Sequence, residues 1–182
     1  MGLLDFDPRR GGLLGQIKRK IFVSYHHGGD RDWYDAFSRT FCDQYDVVKD
    51  NSPERAIDSD DADYVRWCLA ADFITGSSCT IVLIGRDTWG RRFIDWEIDL
   101  TLQKEHGLIG VVLPTGGVAP PRLQDNVRSR YAPSFSWARI TGNATTLTQA
   151  IEIANHRPKG LINNTRERRY RSASSVYGIL SA

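Results

Sequence analysis

Glu97 stands in the run "TWGRRFIDWEIDL", directly after Trp96 and a short way past Trp89, Arg86, Arg91 and Arg92. These residue types complement one another chemically. A flat indole receives an aromatic base, and guanidinium groups receive phosphate oxygens through paired N–H donors. A carboxylate stabilises positive charge as it develops on a sugar carbon, as in glycoside hydrolysis. Together they are the equipment for breaking the glycosidic bond of a nucleotide. The plainer alternative is an acid on the solvated side of a helix, the usual place for a glutamate.

The choice depends on the elements that hold the segment. "CTIVLI", Cys79 to Ile84, is apolar at every position but Thr80, as a strand buried on both faces requires. Arg92 to His106 predicts a helix with Ile94, Ile98 and Leu102 on its apolar stripe. Leu108 to Leu113 reads as a further buried strand. Upstream, "RKIFVSY", Arg19 to Tyr25, predicts an opening strand and "DVVKD", Asp46 to Asp50, a second. Between them Trp33, Phe37, Phe41 and Tyr45 recur on one helical face, with Asp30 as the candidate cap. Ser59 to Ala71 predicts a helix. "PTGGVAPPRLQDNVRSRYAP" reads as a long loop, Ser134 to Ile140 as a last strand, and Asn143 to Asn155 as a capped helix. Beyond Pro158 the chain turns polar and basic, and "RERRYR" reads as a solvated segment.

Strands alternating with helices predict an α/β fold with a parallel sheet of about five strands, flavodoxin-like in order 2-1-3-4-5, helices on both faces. The expected organisation is an N-terminal arm over 1–18, a single domain over 19–157 and a basic C-terminal segment over 158–182. Ligands of such sheets bind beyond the carboxyl ends of the strands where strand order reverses, here between the first and third strands. The loops "YHHGGD" and "GRDTWGRR" meet there, and Glu97 follows the second.

Several chemistries are excluded. The first loop lacks G-x-G-x-x-G, and neither a Walker phosphate loop nor a G-x-S-x-G elbow occurs. His26 and His27 are adjacent at a strand end and point apart, which disfavours a metal pair, so no metal is expected. "DSDDAD", Asp58 to Asp63, lacks the glycine and glutamate of a calcium loop. Three cysteines without C-x-x-C spacing point to reduced thiols and a cytoplasmic protein. A net charge of +2 over 182 residues gives no sign of nucleic-acid binding. No apolar run is long enough to span a membrane.

"KIFVSYHHGGD" and "CTIVLIGRDTWGRRFIDWEI" together resemble Toll/interleukin-1 receptor (TIR) domains, and are most similar to the TIR-like branch of bacterial Thoeris antiviral systems. Trp96 directly before the glutamate fits that branch. The resemblance runs from about Lys20 to Leu113, and more loosely to Asn155. It implies that Glu97 matches the glutamate of NAD-cleaving TIR enzymes. It also implies that Ser24, Tyr25, His26, Arg86, Trp89 and Trp96 line the nucleotide site. NAD is then substrate, with no resident cofactor. The product implied is an ADP-ribose-derived nucleotide, cyclic if water is excluded, that reaches a separate effector. Many TIR enzymes complete their site with a neighbouring copy, so a homo-oligomer is expected. Two rivals remain open at this point: a non-enzymatic TIR-like assembly module, and a nucleoside deoxyribosyltransferase of similar fold.

Overall fold

The structure, a computed structural model, describes residues 18–48, 68 and 74–169. Of the predicted helix Ser59 to Ala71 only Cys68 is described, and it is helical; the loop before it lies outside the described residues. Five strands form one all-parallel sheet in the order β2-β1-β3-β4-β5. They are β1 (Arg19–Ser24), β2 (Tyr45–Val48), β3 (Cys79–Ile84), β4 (Gly107–Val112) and β5 (Ser134–Ser136). β3 lies at the centre and every residue of it is buried, which is why its sequence shows no alternation.

Alternation appears instead in which layer each residue joins. Ile21, Val23 and Tyr25 pack with Tyr34, Phe37 and Phe41 of α1 (His27–Phe41) and with Leu147 and Ile151 of α5 (Ala144–Asn155). On the other face, Val82 and Ile84 pack with Ile94, Ile98 and Leu102 of α2 (Arg92–Gln103) and with Leu123 of α3 (Pro121–Arg128). Phe22 shares that face, in a cluster with Ile74, Phe93, Trp96 and Leu100. Each large apolar side chain so buried contributes about 1.5–3 kcal/mol.

Three local expectations are corrected. α1 begins at His27 behind an extended His26, so Asp30 lies in the first turn and is not the cap. The stretch expected as one long loop contains α3, which starts with Pro121 at a position where a helix needs no N–H. The last strand stops at Ser136, and Trp137–Thr141 forms the short helix α4. Asn143 caps α5 as expected, its side chain accepting from Thr145 N at 2.9 Å.

Of the basic run expected to be solvated, Arg166 and Glu167 are exposed, but Arg166, Arg168 and Arg169 are bonded to the domain; Tyr170 and Arg171 lie outside the described residues. Residues 158–169 run as a strap over α3 and α2. Asn126 holds the strap like a strand neighbour, donating to Asn163 O at 2.7 Å and accepting from Asn163 N at 3.0 Å. Arg166 pairs with Asp125, and Arg168 with Asp99 at 3.1 Å. Among the described residues no helix is long and apolar enough to cross a membrane.

Candidate active site

The carboxyl ends of β1 and β3 meet at Gly85, and three loops converge on that residue because it has no side chain. A Cβ there would lie 2.1 Å from Asp30 Oδ1 on one side. A Cβ on Gly117, in the loop after β4, would lie 2.0 Å from Gly85 O. Thr88 ties the arrangement. Its hydroxyl accepts from Gly85 N at 2.8 Å and faces Asp30 Oδ2 at 3.3 Å. Asp30 is buried, and burial raises its carboxyl above the ordinary 3.8, against the opposing pull of His26. Asp30 was legible only as a candidate helix cap, since its partners Gly85 and Thr88 lie far along the chain.

Glu97 is 2% exposed, in the middle of α2. This excludes the solvated helix acid. A buried carboxylate is costly unless its surroundings compensate it, so its place calls for a reason. Its direction follows from a contact one turn away. Thr101 Oγ1 meets Thr80 Oγ1 at 2.7 Å, which fixes where α2 crosses the start of β3. Four residues of helix rise about 6 Å, and two residues of strand about 6.6 Å. Because α2 runs opposite to β3, Glu97 comes level with Val82 and with Ser24, its register partner on β1. Ser24 shares the strand face of Phe22, which packs against Trp96. The Ser24 hydroxyl is wholly buried and has no hydrogen-bond partner among the described residues.

The expected site residues divide. Ser24, Glu97 and Trp96 share the α2 side of the sheet. Trp96 is buried in the cluster with Phe22 and Phe93, and its Nε1 donates to Arg169 O at 2.8 Å. Trp89 lies half-buried in the turn after β3, with the Arg169 guanidinium 5.0 Å from its ring centroid. Arg86 is exposed at the rim. His26, buried just after β1, has its ring against the first turn of α1, where a Cβ on Gly28 would lie 3.1 Å from its Nε2. Tyr25 is not brought to this group. It faces the α1 layer, stacked on Tyr34 at 4.5 Å and with its hydroxyl 3.2 Å from His27 Nδ1. The period of a strand accounts for this, since Ser24 and Tyr25 must face opposite ways.

A second constellation was not anticipated. Arg122, on α3, is fully buried and forks onto Asp95, Nε to Oδ1 at 3.0 Å and Nη2 to Oδ2 at 3.2 Å. It lies 3.7 Å from Asp99 and donates to Asn164 Oδ1 and to the carbonyls of Arg166 and Glu167. Asp95 and Asp99 stand two residues either side of Glu97, on the opposite side of the helix. The sequence does hold a signal for this: acids four apart on one helix face. It does not identify the arginine. Cys79 is no rival nucleophile, because burial in the core pushes its thiol far up.

A search among curated proteins gave no match. The family model described as the Thoeris protein ThsB, TIR-like domain, matches residues 22–116. That span runs from β1 past β4 and contains Glu97, Ser24 and the loop that bears Trp89, but neither Arg122 nor the strap. With that match over 22–116 and its five-stranded parallel sheet, this chain belongs to the Thoeris ThsB TIR-like domain family, whose place is in antiviral defence.

Proposed function

We propose that this domain cleaves the nicotinamide glycosidic bond of NAD and that Glu97 is the carboxylate that stabilises the ribosyl cation. The observation that carries this is the burial of Glu97 in the helix that follows the central strand. Nicotinamide in NAD is cationic and departs as a neutral molecule, so no general acid is needed. The ribose carbon gains positive charge as the bond lengthens, and one fixed carboxylate near it suffices. In this reading the buried Ser24 hydroxyl, which has no hydrogen-bond partner among the described residues, donates to a ribose hydroxyl. Water attacking the cation gives ADP-ribose. A nucleophile within the same nucleotide gives a cyclic product, which a closed, dry site favours. The product then acts as the signal for a separate effector. A non-enzymatic assembly module has no use for a glutamate kept out of water.

The test is chromatographic product analysis after incubation of the protein with NAD, run beside Glu97→Gln. Nicotinamide release is expected from the first, and a loss of at least about 10²-fold from the second, the scale of a deleted preorganised charge. Equal turnover by a folded Glu97→Gln protein would remove Glu97 from the chemistry. The proposal includes assembly into a homo-oligomer, as TIR resemblance implies. Light scattering beside the assay tests that part, and full activity in a strictly monomeric species overturns it.

A further inference from the structure

Arg169 is delivered to the rim of the crevice without an acid of its own. Its N–H donates to Asp95 Oδ2 at 3.2 Å and its carbonyl accepts from Trp96 Nε1 at 2.8 Å. Both anchors belong to α2, so the backbone at Arg169 is fixed to the helix that carries Glu97. The side chain lies over Trp89, its guanidinium carbon 5.0 Å from the ring centroid. Trp89 adjoins Thr88, which holds Gly85 and Asp30 at the switch point. The strap's other arginines are neutralised, Arg166 by Asp125 and Arg168 by Asp99. Among the described residues Arg169 makes no ion pair, and neither does Arg86 at the start of the same loop.

Stacking engages the face of a guanidinium and leaves its edge, with the N–H donors, directed outward. A rigidly based, uncompensated fork of this kind matches an oxyanion with several acceptors, above all phosphate. We infer that Arg169 binds the diphosphate of a dinucleotide, with Trp89 as the platform that holds the guanidinium and Arg86 as a second cation at the rim. This rests on the NAD reading for the identity of the ligand. It adds a contact from a part of the chain beyond the span that defines the family. Positive charge at this position also complements Glu97, since the phosphates are held away from the carboxylate and the nicotinamide ribose is left beside it.

The experiment is calorimetric titration with ADP-ribose, adenosine and inorganic pyrophosphate, together with NAD kinetics, on the wild type, Arg169→Gln, Arg169→Lys and Arg86→Gln. Arg169→Gln is expected to weaken ADP-ribose and pyrophosphate about tenfold or more, the scale of a lost charge-assisted hydrogen bond. Adenosine, which has no phosphate, keeps its affinity, and the kinetic loss falls on KM rather than kcat. Arg169→Lys recovers part of the binding, because it restores charge without the fork. Unchanged ADP-ribose and pyrophosphate affinity in Arg169→Gln overturns the site even if NAD is cleaved. Binding of pyrophosphate that depends on Arg169, in a protein that does not bind or cleave NAD, retires the NAD reading and keeps the anion site. A wild type that binds neither phosphate probe overturns the site outright. Thermal melting of Arg169→Gln beside the wild type, with its retained adenosine affinity, separates loss of the site from misfolding of the strap. ADP-ribose affinity unmoved by Arg86→Gln removes Arg86 from the site.

Discussion

One helix, α2, carries three buried carboxylates on two faces, and the faces are built differently. Asp95 and Asp99 are 5% and 4% exposed, and Glu97 is 2% exposed. Burial alone does not distinguish them. The faces they occupy do. The outer face is a closed ionic node in which Arg122, Arg168 and Asn164 surround the two aspartates. The inner face brings Glu97 to the level of Ser24, whose hydroxyl is left without a partner among the described residues. A carboxylate matched by a bidentate arginine holds elements together. Glu97, on the other face of the helix, is the carboxylate to which the proposed chemistry is assigned. The outer face fixes how α2 lies, and so fixes where the inner face points.

The comparison breaks first at Arg122. Arg122→Met leaves Asp95 buried without its cation and Asp99 with Arg168 alone, and is expected to cost about 3–5 kcal/mol of stability. Chemical denaturation measures this, and an unchanged midpoint would mean that the node does not hold the strap to the domain. Glu97→Gln, by contrast, is expected to keep the fold and lose the chemistry.

The two tryptophans sharpen the same contrast. Trp96 is buried among Phe22, Phe93 and Leu100, so Trp96→Ala should cost roughly 3–5 kcal/mol, as large core truncations do. Trp89 is half-buried under Arg169, and such a cation–π contact contributes only about 0.5–1 kcal/mol at partly exposed sites. Trp89→Ala should therefore act mainly on the Michaelis constant for NAD. Equal losses of melting temperature with no change in that constant would return both residues to the core.

The smallest effect expected is at Asp30. Burial raises its folded-state carboxyl above 3.8, so its contribution to stability is full below that value and is lost as pH rises through the raised one. Asp30→Asn should remove that decline. The difference between the two stability–pH profiles isolates it from opposing groups such as Asp125, whose carboxyl is held low by its bond to Arg166. Parallel profiles would show that burial does not strain Asp30.

What the sequence disclosed follows the range of the forces involved. β3 was legible residue for residue, because burial on both faces demands an unbroken apolar run. The strand order followed from alternation of elements, and the helix that carries Glu97 from its apolar stripe. α3 was hidden because eight residues behind a Pro/Gly-rich stretch show too little period. The strap was hidden for another reason. A basic run shows charge but not its partners, and Asp125, Asp99 and Trp89 lie far from it along the chain. Asp30 and Arg122 share that cause: each is defined by contacts between loops or helices that only the folded sheet brings together.

The strap has a further consequence in time. Trp96 and Asp95 meet Arg169 across 73 and 74 residues of chain, and Arg122 meets the strap across more than 40. Contacts so distant along the chain require loop closure before they return any stabilisation, and so they form late in folding. During synthesis the sheet and α2 leave the ribosome first, with both aspartates still short of their arginine's anchor. The final setting of Glu97 therefore waits on residues close to the end of the described chain, and a partly made molecule holds the glutamate on a helix not yet anchored.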